Sequence, residues 1–172
     1  MSFVLQSKEN NAPEEGVVQA VCTGIYDLGT QLNTFNNKEQ RKVMIEWEIQ
    51  GENGVQYVYK SYTASLYSNA TLTKDLTSWI GEIKNSLDLE DLLGKNAQLM
   101  IKKVEVNGKT YTKVASIMGL PKGMKPIKPL KEVVVYHLSD GFSFPSGMPE
   151  WVKKVIQKSK EYQATNKEVP FN

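Results

Sequence analysis

The chain has 172 residues, a formal net charge of +2 and 40% hydrophobic residues, enough for one domain with a real core plus an appendage. No apolar run approaches the roughly 18 residues a membrane span needs. The opening Met1-Ser2-Phe3-Val4-Leu5 lacks the basic and long apolar regions of a secretory signal, so a cytoplasmic location is expected. One cysteine, Cys22, and one histidine, His137, exclude an intramolecular disulfide and a zinc site of the usual nitrogen and sulfur ligands within one chain.

Residues 1–15 are polar, slightly acidic and without periodicity, which reads as a loose arm. Gly16 to Asp27 is apolar and β-branched, as in a strand buried on both sides, with Cys22 a small hydrophobe within it. Leu28 to Gln40 is polar and rich in Asn and Gly, and reads as a long loop. From Arg41 to Gln50 the pattern has period two. Val43, Ile45, Trp47 and Ile49 belong to a core face, and Lys42, Met44, Glu46 and Glu48 to a wet one. Glu52-Asn53-Gly54 supplies a hairpin turn into a tyrosine-rich strand from Val55 to about Ala64.

Leu72, Leu76, Trp79, Ile80 and Ile83 recur at spacings of three and four, an amphipathic helix over about 72–84. Asp88 to Gly94 suggests a short turn. Asn96–Val106 and Lys109–Met118 are strands joined by Asn107-Gly108, the dipeptide best suited to a tight hairpin. Pro121, Pro126 and Pro129 then mark a stiff linker. Val133 to Leu138 suits a further strand, and Pro149 to Tyr162 a helix with Pro in its first turn.

Three strands, a helix and two strands is the order of a five-stranded Greek-key barrel of the oligonucleotide-binding (OB) type. The expected fold is therefore mainly β, with one helix between strands three and four and a C-terminal extension carrying another helix. The expected divisions are an arm at 1–15, the barrel at 16–119, a basic Pro-rich linker at 120–132, and an extension at 133–172 ending in a frayed tail.

Catalytic chemistry is poorly supplied. There is no glycine-rich phosphate loop, GxSxG elbow or HExxH, and a Cys22–His137 dyad would need two lone residues to meet. Glu46/Glu48 and Glu90/Asp91 could hold Mg²⁺, but a solvated face explains them more simply. No enzyme activity and no cofactor are expected.

Binding chemistry is better supplied. Single strands need π-faces for bases and cations for phosphates, and an OB barrel offers them on strands two and three and the flanking loops. That region holds Phe35, Lys38, Arg41, Lys42, Tyr57, Tyr59, Lys60 and Tyr62. Lys102 and Lys109, with Lys103 and Lys113, surround the last hairpin, and the linker adds Lys122, Lys125, Lys128 and Lys131. The competing reading is that these tyrosines pack on a core or on each other, as strand tyrosines commonly do. A one-residue slip would exchange Tyr57 and Tyr59 for Lys60 and Tyr62 as the outward set.

Particular phrases add to this. They are Asp27-Leu-Gly-Thr-Gln31, Trp47-Glu48, Tyr62-Thr-Ala-Ser-Leu66, Leu72-Thr-Lys-Asp-Leu-Thr-Ser-Trp-Ile-Gly81, Leu93-Gly-Lys95, Leu120-Pro-Lys-Gly123 and Met148-Pro-Glu-Trp151. In these, from about Gly16 to Tyr162, the chain resembles a family of small phage and prophage proteins regarded as single-stranded DNA-binding OB folds. The resemblance implies a phage-encoded protein that coats single-stranded DNA in replication or recombination, in the cytoplasm of a bacterial host. It supplies no contact residues, and replication or recombination proteins are the partners it suggests. Bacterial single-strand binders often end in an acidic tail with a terminal Pro-Phe. Here Pro170-Phe171 is followed by Asn172 and the acidity is missing, so a frayed terminus is the simpler account. The alternative function is an OB-like scaffold that docks a phage or host protein through its aromatic strand or C-terminal helix. Oligomeric state stays open, a homodimer included.

Overall fold

The computed structural model describes residues 13–52, 54–67 and 69–167. Most of the expected N-terminal arm, Asn53 of the expected turn and the Pro170-Phe171 pair lie outside the described residues. The chain is mainly β. Its strands are β1 (Gly16–Asn33), β2 (Lys38–Gly51), β3 (Gly54–Thr63), β4 (Asn96–Val106), β5 (Lys109–Met118) and β6 (Val134–Tyr136). Its helices are α1 (Thr71–Ile80), α2 (Glu150–Gln157) and α3 (Lys160–Lys167). The sheet runs β3-β2-β1-β4-β5 with antiparallel neighbours, and short β6 joins β1 in parallel. β3 and β5, the two ends of this order, touch each other without pairing, so the sheet curls round but is not closed.

Alternation along the strands builds two cores on the two faces of the sheet. On the inner face Ile25, Val43, Ile45, Trp47, Val58, Leu99 and Ile101 pack with Leu72, Leu76 and Trp79 of α1. α1 is amphipathic as its spacing predicts, but it ends at Ile80, because Gly81 turns the backbone to φ +90°. Ile83 therefore reaches the core from an irregular segment. Ser78 Oγ donates to Ile117 O (2.7 Å) and Trp79 Nε1 to Asn96 O (2.8 Å), which ties the end of α1 to β5 and β4. Gly119 is required at that junction, since a Cβ there would lie 2.9 Å from Trp79 O.

The outer face is where the structure departs most from the sequence reading. Tyr26, Leu28 and Met44 pack there with Val134, Tyr136, Met148, Val152 and Ile156, all from the C-terminal extension. The extension thus shares a core with the sheet. Glu46 and Glu48, expected on a wet face, are both fully buried. Period two placed them correctly on the face opposite Trp47. The linker residues Leu130 and Lys131 that close over them lie more than 80 residues away, which periodicity cannot report.

Two boundaries also move. The segment expected as a long loop is mostly strand, with β1 running to Asn33 and β2 starting at Lys38. Only residues 34–37 turn, with Asn37 at φ +56°. This ribbon is polar, and α3 holds it: Glu161 Oε2 accepts from Thr30 N (2.8 Å) and Lys160 pairs with Glu39 (2.9 Å). The expected helix over 149–162 is two helices, α2 and α3, broken at Lys158 and Ser159. Buried Ser159 accepts at Oγ from Tyr162 N (3.2 Å), a side-chain cap for α3.

Candidate nucleic-acid interface

The tyrosines of β3 divide between the two faces. The ladder pairs Trp47 with Val58, Ile45 with Lys60 and Val43 with Tyr62, so Val58, Lys60 and Tyr62 belong to the inner side. Tyr62 is 2% exposed and gives its hydroxyl to Asp75 Oδ2 (2.8 Å). Lys60 pairs with the same carboxylate (2.7 Å) and lies 5.3 Å from the Tyr62 ring centre. Neither side chain offers itself to a ligand, and both serve to seat α1 on β3. Burial, then the Asp75 contact, pushes the Tyr62 hydroxyl well above the ordinary tyrosine range.

Tyr57 and Tyr59 form the outward set, opposite Glu48 and Glu46. Yet they face the extension and linker. The Tyr59 ring meets Trp151 of α2 edge-on, with centroids 4.8 Å apart. Tyr57 gives its hydroxyl to Glu48 Oε1 (3.0 Å), and Lys131 Nζ lies 5.0 Å from its ring centre. Burial first, then the Glu48 contact, pushes the Tyr57 hydroxyl up to about 12.

The two buried glutamates explain this cover. Glu46 pairs with Lys131 and accepts from Thr23 Oγ1 (2.8 Å) and Tyr26 (3.1 Å). Glu48 accepts from Gln50 (2.7 Å) and from the backbone amides of Leu130 (2.9 Å) and Lys131 (3.3 Å). Burial opposes its ionisation, but these donors outweigh burial and hold its pKa below the ordinary value. Lys131, expected as a cation for phosphate, is therefore consumed by Glu46.

The remaining expected residues lie at opposite ends of β1. β1 meets β4 through its N-terminal half and β2 through its C-terminal half. At the β1–β2 tip, Phe35 is 99% exposed and Lys38 is exposed. Further down that ribbon Arg41 Nε donates to Asp27 Oδ1 (3.0 Å), and Lys42 donates to Thr63 Oγ1 (3.2 Å).

At the other end, β4 and β5 run past the start of β1 as a two-stranded ribbon, with Glu15 Oε1 accepting from Lys103 N (2.7 Å). Ile101 and Val114 are paired and buried, so the next pair, Lys102 with Lys113, points to the opposite face. Val104 with Tyr111 and Val106 with Lys109 continue that face. It carries three lysines, an aromatic ring and two valines, all exposed, and no acid. Lys103 and Glu105 lie on the other side. Tyr111 was not singled out from the sequence. The signal was present in Lys109-x-Tyr111-x-Lys113, three residues at the spacing that puts them on one strand face.

The linker crosses this same outer face. Asn96 clasps Ile127, accepting from its amide (2.9 Å) and donating to its carbonyl (2.9 Å). Gln19 and Gln50 donate to the carbonyls of Lys125 (2.8 Å) and Lys128 (2.6 Å). The linker backbone is thereby pinned, while Lys122, Lys125 and Lys128 remain exposed. From Asn96, where the linker is clasped, to Lys102 of the ribbon is roughly 20 Å along β4.

Among the described residues, no three His, Cys, Asp or Glu side chains are placed to share a metal ion. No helix among them is long and apolar enough to cross a membrane. No protein-family model matches the chain, and comparison with curated proteins finds no match.

Proposed function

We propose that this chain is a single-stranded DNA-binding protein built on an OB-type Greek-key barrel, and that it binds rather than catalyses. The strand order β3-β2-β1-β4-β5, with α1 across the ends of β3 and β5, supports the barrel. The observation that carries the function is the ribbon face of Lys102, Lys109, Lys113 and Tyr111, with the exposed linker lysines as a second source of cations. Cations and an exposed ring on one strand face suit a backbone with stacking bases. A duplex hides its base faces and cannot use Tyr111 in this way. The resemblance to phage and prophage single-strand binders supports this reading and suggests a role in replication or recombination.

This reading relocates the contact surface. The outer face of β2 and β3 is occupied by the chain's own extension, so the strand is held by the β4–β5 ribbon and linker, with Phe35 and Lys38 at the far end of β1. A fluorescence-anisotropy titration with labelled oligo-dT tests it, using duplex DNA and single-stranded RNA as competitors at two salt concentrations. Tight, salt-sensitive binding that duplex fails to compete supports the proposal. Absence of binding at low salt sinks it and favours the scaffold reading, in which exposed Trp151 docks a protein.

A further inference from the structure

A cleft of about 270 Å³ opens between the β1–β2 ribbon, residues 87–90 and β6. Its floor is apolar and buried, formed by Ile25, Val43 and Tyr136. Leu87 and Leu89 add apolar wall. Its rim is charged. Arg41 and Lys42 line one side, and Asp88, Glu90 and His137 another. The volume is slightly below that of typical drug-sized ligand sites, roughly 300–1,000 Å³. It is large enough for one planar heterocycle with a small polar appendage, and its open side leaves the rest of a ligand in solvent.

The hydrogen bonds already made define what the rim can still offer. Asp27 is saturated, taking Arg41 Nε and Nη2, Gly29 N and Leu138 N. Arg41 keeps donors beyond those two, and Lys42 keeps donors beyond the one given to Thr63. Asp88 Oδ1 accepts from Glu90 N, and Glu90 Oε1 takes His137. Each of those carboxylates has a second oxygen with no partner among the described residues. The cleft therefore combines an apolar slot, free cationic donors and free anionic acceptors.

We propose that this cleft is a base-sized subsite that accepts one nucleobase splayed from the strand, with Arg41 and Lys42 receiving its phosphate and Asp88 and Glu90 accepting from an exocyclic amino group. The identity of the ligand rests on the single-strand reading above; size and edge chemistry come from the cleft itself. Splayed bases read on their edges are a common mode of single-strand recognition. Adenine, cytosine and guanine carry the amino group and thymine lacks it, so thymine binds at least about tenfold more weakly, the value of one hydrogen bond to a charged acceptor.

The test is amide NMR of the whole chain titrated with each of the four deoxynucleoside monophosphates. The expected result is saturable shifts of Ala64, Leu87, Asp88, Leu89, Glu90 and His137, weakest with the thymine nucleotide. Ala64→Leu narrows the slot and abolishes those shifts. If that variant does not fold, Lys42→Gln, on the rim, serves instead and weakens all four nucleotides together. Cleft amides that stay unmoved by every nucleotide overturn the proposal, and equal response to thymine overturns the amino-group assignment. If oligo-dT binds the protein while nucleotides leave the cleft untouched, the subsite falls and the proposed function stands. If nucleotides shift the cleft while no oligonucleotide binds, the proposed function falls and the cleft is a free-nucleotide site.

Discussion

Trp151 of α2 meets Tyr59 of β3 edge to face, with ring planes at 90° and centroids 4.8 Å apart. The contact joins the last part of the chain to a sheet edge laid down nearly a hundred residues earlier. An edge-to-face pair of this kind is worth about 0.5–1.5 kcal/mol beyond its buried area. Trp151→Ala and Tyr59→Ala should each lower stability in urea unfolding. The double variant should fall short of their sum by about that coupling. Strict additivity would show that the rings merely adjoin.

Lys131 is the cation of fully buried Glu46. Lys131→Met leaves that carboxylate with no cation, held by the hydroxyls of Thr23, Tyr26 and Tyr59. Removing one partner of a buried pair costs about 3–5 kcal/mol. Denaturant midpoints should show a loss of this order, and Glu46→Gln in the same chain should recover much of it. A loss below about 1 kcal/mol would mean that water reaches Glu46.

The ribbon carries the proposed contacts, so its variants should change binding and leave folding alone. Lys102, Lys109 and Lys113 together changed to Gln should flatten the log–log salt slope by about 2, at roughly 0.7 per phosphate. Tyr111→Ala should weaken oligo-dT by about 1–3 kcal/mol. Phe35→Ala, in a fully exposed ring, makes the same test at the far end of β1. Unchanged anisotropy curves for both aromatic variants would leave phosphate contacts as the sole basis of affinity.

His137 accounts for a predicted pH dependence. The hydrogen bond to Glu90 raises its pKa above 6.5; slight burial opposes the shift, and Asp140 and Asp27 add to it. A raised folded-state value means that the protonated form is favoured by folding. The stabilisation is complete below about pH 6.5 and is lost as pH rises through the raised value. Thermal unfolding across neutral pH should show this decline, and His137→Gln should abolish it. Because the pair is half exposed, added salt should shrink the effect.

The period-two and helical patterns were readable in the sequence because each is local. Val43, Ile45, Trp47 and Ile49 went to the core as their alternation predicts, and Asn107-Gly108 turned the hairpin with positive φ at both residues. The unreadable part is what covers the second face. Glu46 and Glu48 look like surface residues in any window, since their partners Lys131 and Leu130 lie more than 80 positions away. The same cover decided the fate of Tyr57 and Tyr59. Phe35, Lys38, Lys102, Lys109, Lys122 and Lys125 stayed on the surface as expected, but the register of β1 separates them into two ends.

The buried glutamates carry a consequence for the order in which the chain is made. A ribosome delivers β1 to β5 well before residues 130–156. Were the sheet to form before those residues arrive, Tyr26, Met44 and Tyr59 would lack the cover that the extension gives them in the finished fold. Glu46 and Glu48 would stand among them, charged and hydrated, and such residues keep sticky strands from joining strands of neighbouring chains. Two carboxylates that the finished protein satisfies with a lysine and with hydrogen-bond donors would thus guard the unfinished one. Replacing both by apolar residues would trade away that protection during synthesis, even where the completed fold gained stability from the change.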